Sequence, residues 1–252
     1  IKKVMMMAVI KVQSIRDIPK DGVYRVEATN KLYRQGYDRI LKIFLDCYQR
    51  IDSESGRDIF KVLELLMSLE GSGSLILPED IYLGDKRIYG YTTKYLKGSN
   101  LNYISREVKL KDLLEAYLEL TKDIKLLAEN NINIFDIHAG NLLYNGSLYM
   151  LDFDLSKVDT VNSVDKIYKR AAYQVFQQIL RGIVWFDKSQ NLYTVLNHYH
   201  IRDFNFGALQ CGIIDITSSV EEFKESLFSL GLDDRCTLKD VDIVLRRKRN
   251  GY

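Results

Sequence analysis

Two short stretches near the middle of the chain decide the predicted fold: residues 135–143, FDIHAGNLL, and residues 149–154, YMLDFD. Asp136 and Asn141 are five residues apart, which is too close for a helical turn and a strand to separate them, so we expect both on one loop. Asp152 follows the second apolar stretch. Polar side chains therefore stand at defined points on otherwise apolar segments.

A β-hairpin is predicted directly after this loop. Residues 142–144 have the composition of a short strand, and Asn145-Gly146 is the strongest short-range signal for a hairpin turn. A two-residue turn fixes the register of the two strands, so the returning strand is expected to bring Asp152 back beside Asn141. The alternative is an ordinary hairpin with a few exposed polar residues.

The expected set of oxygen groups suits a magnesium–nucleotide site. Mg²⁺ uses oxygen ligands, usually one or two from the protein together with phosphates and water. Asn141 and Asp152 supply such oxygens, Asp154 can add an oxygen that supports these ligands or binds a second metal ion, and Asp136 is left to accept a proton from an attacking hydroxyl. A single Asp or Asn near a turn is common, so the prediction depends on the ordered set.

This ordered set resembles the catalytic loop of the protein-kinase-like superfamily. Residues 136–141, DIHAGN, are closest to the Asp-x-His-x-x-Asn loop of aminoglycoside phosphotransferases and choline kinases, and residues 152–154, DFD, are similar to the metal motif of that branch. Protein kinases carry His-Arg-Asp where this chain has IFD at 134–136. The resemblance implies a two-lobed α+β fold that forms one kinase-like domain. Its N-lobe, residues 1–96, would be a small antiparallel sheet with one helix, and its C-lobe, residues 97–252, would be mainly helical.

The front of the chain has the strands that such an N-lobe requires. Strands are predicted over 22–26, 31–34 and 39–45, and Lys42 lies within the third, apolar strand. A lysine there can simply point to water from an edge strand. The resemblance implies instead that Lys42 holds the α- and β-phosphates of ATP. The glycine-rich loop of protein kinases is absent, since EATN stands at 27–30, and the cover of the phosphates is left undefined.

An amphipathic helix is predicted from Ser53 to the Gly-Ser-Gly at 71–73. Glu64 lies at the border of its apolar stripe. It can face water as a helix former. The resemblance implies that it pairs with Lys42 and fixes the lysine against the phosphates.

Two further strands are predicted over 75–78 and 87–93, with a turn at Gly84-Asp85 between them. The resemblance implies that the following segment, 94–98, is the hinge between the lobes. A hinge contacts adenine through its backbone, and the corresponding positions are Lys94 and Leu96.

The second half of the chain is predicted to be helical. Apolar spacing predicts a long helix over 110–128 and a second, widely apolar helix over 164–183, with shorter helices over 192–196 and 220–230. Only residues 155–163 separate the DFD motif from the second helix, and no Ala-Pro-Glu occurs. Protein kinases place a long activation segment there, so its loss favours a small-molecule substrate.

Composition excludes several classes of protein. The net charge of +2 gives no bulk electrostatic case for a nucleic-acid or membrane partner. Three scattered cysteines, Cys47, Cys211 and Cys236, favour reduced thiols and a cytoplasmic location. No stretch is long enough to span a bilayer. The apolar run at 4–10 is interpreted as a buried strand or a short helix rather than a signal peptide.

Two polar clusters near the end of the chain have alternative interpretations. His198 and His200 have metal-ligand spacing, but without a third ligand nearby they more often pack or form hydrogen bonds. The basic run at 246–249, RRKR, can contact nucleic acid or acidic lipid, and it can equally be a solvated helix end. The low net charge favours the solvated helix end.

Together these features predict an ATP-dependent phosphotransferase that moves the γ-phosphate of MgATP to a hydroxyl acceptor, with ATP and Mg²⁺ as cofactors. The small-molecule acceptor is the first hypothesis, and the alternatives are an atypical serine/threonine protein kinase and a nucleotide-binding pseudokinase that acts through a partner. The expected polar positions are all filled, which argues against a pseudokinase.

Overall fold

The computed structural model describes residues 8–26, 30–45, 54–70, 72–183, 215–233 and 235–249. The chain divides into two compact units. The first comprises residues 1–72, 76–97 and 152–158, and the second comprises residues 73–75, 98–151 and 159–252. The segment 152–158 therefore belongs to the first unit although it follows the predicted lobe boundary at residue 96 by more than fifty positions.

The first unit contains a six-stranded sheet in the order β1-β5-β6-β4-β3-β2. The strand β1 pairs with β5 in parallel, and all other pairs are antiparallel. The strands are β1 (Ala8–Lys11), β2 (Val23–Val26), β3 (Asn30–Gln35), β4 (Arg39–Phe44), β5 (Pro78–Leu83) and β6 (Ile88–Lys94), and the unit also holds α1 (Glu54–Met67) and β11 (Lys157–Val158).

Both faces of this sheet are covered along the central strand β4. Successive side chains of a strand point to opposite faces. Leu41 and Ile43 pack with Ile18 and Tyr82 on one face. Phe44 lies on the other face, in a cluster with residues of α1 such as Leu63. Lys42 alternates with Leu41 and Ile43, so it belongs to the face that α1 covers.

A close backbone approach beside Lys42 makes one glycine of β6 necessary. Gly90 pairs in register with Ile43, and a Cβ atom at Gly90 would lie 1.9 Å from the carbonyl oxygen of Lys42. We expect Gly90→Ala to lower the free energy of unfolding by about 3 kcal/mol, because the strands would have to separate. Urea denaturation measures this loss. The control is Gly22→Ala, where a Cβ meets nothing within 4 Å, and an equal midpoint for both variants would contradict the prediction.

Most predicted elements of this unit form, with one displaced strand. The stretch predicted as a strand over 75–78 is not one; the strand β5 instead begins at Pro78. Proline lacks a backbone N–H and is tolerated at the first residue of a strand, so it marks a start where we predicted an end. The turn after β5 is closed by a hydrogen bond from the Gly84 N–H to the Arg87 carbonyl, 2.8 Å.

The second unit is built on two long helices that match their predicted ranges closely. Tyr117 of α2 stacks on Phe176 of α3 at 5.3 Å between ring centroids, and its hydroxyl donates to the Ala172 carbonyl at 3.0 Å. Phe223 of α4 meets Phe176 edge-on at 5.8 Å. Aromatic packing thus forms the centre of this unit. The helices are α2 (Leu110–Glu129), α3 (Val164–Ile183), α4 (Ile216–Phe228) and α5 (Leu238–Arg249).

A small three-stranded sheet in the order β10-β9-β7 completes the second unit. The pairing of Leu148 with Tyr144 leaves residues 145–147 in the hairpin turn. The turn therefore has three residues, not the two predicted, with Gly146 at φ +101°. The strands are β7 (Ser99–Asn100), β9 (Leu142–Tyr144) and β10 (Leu148–Met150), and β8 (Ile132–Asn133) lies elsewhere in the unit.

The loop that leads into α3 is organised by Asp159. Its carboxylate accepts hydrogen bonds from the backbone N–H groups of Val161 and Asn162 and from the side chains of Asn162 and Asn133. These donors, led by the Asn162 backbone, hold the pKa of Asp159 well below its usual range. The charged form of this side chain therefore stabilises the short connection before α3.

Some predicted features lie outside the described residues: the run at 4–7, Cys47, the helix over 192–196, His198, His200 and Cys211. In the basic run, Arg246 forms an ion pair with Asp242 at 3.0 Å. None of the helices in the described ranges is long and apolar enough to cross a bilayer.

Candidate active site

The side chain of Lys42 lies between two carboxylates in the first unit. Its Nζ atom is 2.6 Å from Asp152 Oδ2 and 2.6 Å from Asp154 Oδ2. Lys42 is only 6% exposed. The Lys42 and Asp152 partners are 110 positions apart in the chain, so folding alone brings them together.

The charges of this group depend on each other. Burial lowers the pKa of Lys42, but Asp154 and Asp152 raise it by more, so that the net pKa is raised and the ammonium stays charged. Burial and the neighbouring Asp152 carboxylate raise the pKa of Asp154 to about 7, against the opposing effect of Lys42. One cation thus lies between two carboxyl groups, and the charged form of the more buried one, Asp154, is disfavoured.

The backbone of Asp152 adopts an unusual conformation. Its φ is +63°, in the left-handed region that residues other than glycine seldom occupy. Such a conformation costs about 1 kcal/mol and persists where the surroundings enforce it. The ion pair with Lys42 and a hydrogen bond from the Asp154 N–H to Asp152 Oδ1, 3.3 Å, supply that constraint. The DFD segment is therefore held in a defined shape.

Tyr91 belongs to this site, and sequence reasoning missed it. It lies directly opposite Lys42 in the β4–β6 pairing, and its hydroxyl donates to Asp154 Oδ1 at 2.7 Å. The Lys42 ammonium is 6.0 Å from the centre of its ring. The only signal in the sequence was the alternation of residues along two strands, which does not give the register between them.

Glu64 does not take the position predicted for it. Its side chain is exposed on α1, and the carboxylates that pair with Lys42 among the described residues are those of Asp152 and Asp154. The physical reason is helical phase: Leu63 and Leu66 fix the buried face of α1, and Glu64 is rotated away from it. The predicted Lys42–Glu64 pair is absent from the described part of the chain.

The predicted catalytic loop is ordered by its own polar side chains in the second unit. The amide nitrogen of Asn141 donates to the Asp136 carbonyl at 3.1 Å and to its carboxylate at 3.4 Å. His138 Nε2 lies 3.7 Å from Asp136 Oδ1. The Asp136 side chain is 40% exposed. It is held from two sides and is still accessible to a molecule in solution.

His138 also supports the loop through its other ring nitrogen. The Gly140 N–H donates to His138 Nδ1 at 3.0 Å, which caps a single 3₁₀ turn over Ala139–Asn141. A Cβ atom at Gly140 would lie 2.8 Å from the imidazole, so glycine is required for this contact. This hydrogen bond braces the loop.

The hairpin holds the end of the loop beside Leu151. The Leu151 N–H donates to the Asn141 carbonyl at 2.8 Å. Leu151 immediately precedes Asp152. The three-residue turn at 145–147 therefore keeps Asn141 in register with the residue before the motif.

The residues predicted to bind Mg²⁺ have suitable chemistry. The described residues contain no group of three or more His, Cys, Asp or Glu side chains that could hold a metal. Mg²⁺ needs only one or two protein oxygens when it binds with a nucleotide. Asp152 and Asp154 both place an oxygen 2.6 Å from one ammonium, so these oxygens converge on one point and fit such an ion. Asn141 offers an amide oxygen that accepts no hydrogen bond from the described residues.

The segment predicted to contact adenine follows β6. Lys94 is the last residue of that strand and is paired with Arg39, and Leu96 lies just beyond it in an irregular stretch. The intervening Tyr95 donates its N–H to the Asp38 carbonyl. The adenine contact of Lys94 and Leu96 stays a prediction.

A scan against protein-family models gives no match for this chain, and a search of curated proteins gives none either. We therefore infer the function from the residues and their geometry.

Proposed function

We propose that this chain is an ATP-dependent phosphotransferase that transfers the γ-phosphate of MgATP to a hydroxyl acceptor, most readily a small molecule. The observation that supports it best is the contact of Lys42 with Asp152 and Asp154, each at 2.6 Å. A buried ammonium between two carboxylates is a group that can exchange its partners for phosphate oxygens. The mixed α+β architecture is compatible with the proposed kinase-like fold.

Each residue has a definite task in this proposal. Lys42 holds the α- and β-phosphates, and Asp152 with Asn141 and Asp154 holds the metal. When bound, Mg²⁺ neutralises phosphate charge and favours in-line transfer. Asp136 orients the acceptor hydroxyl and takes its proton as the new oxygen–phosphorus bond forms and the bond to ADP breaks. Lys94 and Leu96 contact the base through their backbone.

The short connection before α3 favours a small acceptor. Since α3 begins at Val164, only residues 155–163 are available between the DFD motif and that helix. A peptide-docking activation segment would need a longer chain. An atypical protein kinase and a pseudokinase remain the competing hypotheses, and the assay below separates them.

Ligand binding and chemistry are tested in sequence. At MgATP near one hundred times its Kd, the thermal midpoint should rise by about 5 to 10 °C, since such an occupancy adds about 2.7 kcal/mol. EDTA should abolish most of the rise. Labelled ATP is then offered with a panel of hydroxyl compounds. Label on a small compound supports the proposal, label only on protein favours the protein kinase, and a midpoint shift without turnover favours the pseudokinase. No shift at all refutes nucleotide binding.

A further inference from the structure

An arginine of α3 lies beside the predicted catalytic loop within the second unit. The guanidinium carbon of Arg170 is 4.7 Å from the centre of the Phe135 ring, and Phe135 immediately precedes Asp136. Both side chains are exposed, Phe135 to 42%. Arg170 thus lies at the surface in a cation–π contact with the residue that precedes the proposed general base.

Among the residues that the structure describes, no acidic side chain pairs with the positive charge of Arg170. Within the described ranges, no carboxylate forms an ion pair with Arg170 or with Lys166, which lies one helical turn earlier on the same face of α3. The nearby Lys169 differs, since it pairs with Asp165 at 3.0 Å. Two like charges at this spacing weaken a helix slightly. They also form a short basic edge on α3, made of Lys166 and Arg170, and Arg170 contacts the residue before Asp136.

We propose that this basic edge selects the acceptor: the hydroxyl compound carries a phosphate or carboxylate group that binds to Arg170 and Lys166. The inference rests on the proposed phosphotransferase function and deepens it. The planar guanidinium donates two parallel hydrogen bonds to such an anion, whereas a lysine acts as a point charge. The contact with the Phe135 ring limits the freedom of the guanidinium, so less entropy is lost when the anion binds.

Arg170 and Lys166 therefore contribute unequally to binding of the anionic acceptor. Arg170 is fixed by the ring and gives direction, while Lys166 is exposed and adds attraction. A neutral or cationic acceptor would gain nothing from either group. The competing explanation is that Arg170 only shields Phe135 from water, and it predicts no preference for anions.

Direct binding tests the inference without any turnover. The probes are glycerol 3-phosphate, glycerate, glycerol and choline, titrated at one ionic strength into the full chain. We expect at least one of the two anions to bind more tightly than glycerol and choline. Arg170→Gln should weaken that binding at least tenfold and Lys166→Gln about threefold. The control is Arg181→Gln, an exposed arginine near the end of the same helix, which should leave it unchanged. The relative affinities of the two anions distinguish phosphate from carboxylate recognition.

Turnover then separates this inference from the proposed function. In the labelled-ATP screen, acceptors should be anionic, and Arg170→Gln should raise their KM at least tenfold while the MgATP-induced thermal shift persists. Three results would overturn this inference but not the proposed function. The anions could bind no more tightly than glycerol and choline, or Arg170→Gln could leave anion binding unchanged. The third result is labelling confined to neutral compounds, cationic compounds or protein. If MgATP did not raise the thermal midpoint of the unmodified chain, the proposed function itself would be refuted.

Discussion

Replacing Asp136 with Asn should lower phosphate transfer about a thousandfold, because the amide cannot take the proton of the acceptor hydroxyl. The substitution keeps the size of the side chain. The contacts of Asp136 with Asn141 and His138 are long, 3.4 and 3.7 Å, so their loss should cost under about 1 kcal/mol of stability. Initial rates with labelled ATP measure the effect, in acceptor transfer or in hydrolysis of ATP by water.

The same variant has a matched control in the second unit. Asp112→Asn changes an exposed aspartate in the first turn of α2 and should leave the rate within about twofold, since it alters only a helix end. Both variants should keep the MgATP thermal shift of the unmodified chain. If Asp136→Asn retained more than a tenth of the original rate, Asp136 would not be the base.

The second large effect is expected from Lys42→Met, which removes the ammonium but keeps a long apolar side chain. Two carboxylates would then lose their shared cation in a largely buried place, and the free energy of unfolding should fall by about 3 kcal/mol at neutral pH. Binding of MgATP should weaken at least a hundredfold, because the phosphates also lose their partner. Calorimetric titration and urea denaturation give the two quantities.

The stability loss of this variant should depend on pH. The pKa of Asp154 is already raised to about 7, with burial as the first cause, and removal of Lys42 raises it further. A folded-state pKa above the unfolded value means that the folded protein holds the extra proton, so stability falls as pH rises from about 4 through 7. Lys42→Met should therefore destabilise the protein less at pH 5 than at pH 8. The control is Lys86→Ala, which changes an exposed lysine in the turn after β5. It should cause neither the loss of stability nor its dependence on pH.

The local elements of this chain could be predicted because each depends on spacing within a few residues. Apolar periodicity gave α3 its range of Val164–Ile183 without error, and the polar residues of the DIHAGN loop were placed together. Where a local signal had two meanings, the prediction failed. Pro78 was taken as the end of a strand and is its beginning, and Asn145-Gly146 suggested a two-residue turn where three residues form it.

The partners of Lys42 illustrate a different limit. The sequence suggested Glu64, which lies on the wrong side of its helix, and gave no indication of Tyr91. Helical phase is the rotation of a helix about its own axis relative to the core, and strand register is the offset of one strand along its partner. Neither can be read from the residues of one element alone, because both are set when buried side chains such as Leu63 pack against residues of other elements.

By itself, the sequence determined which residue types could do chemistry and on which loop or strand each one lies, since turns, apolar periods and short motifs act over a few bonds. The tertiary structure alone decided that Asp152 and Asp154 meet a lysine from β4 and that segment 152–158 joins the first unit. It also decided that Arg170 lies against Phe135. Such contacts depend on the packing of the whole core, which selects one arrangement among the many that the local preferences allow.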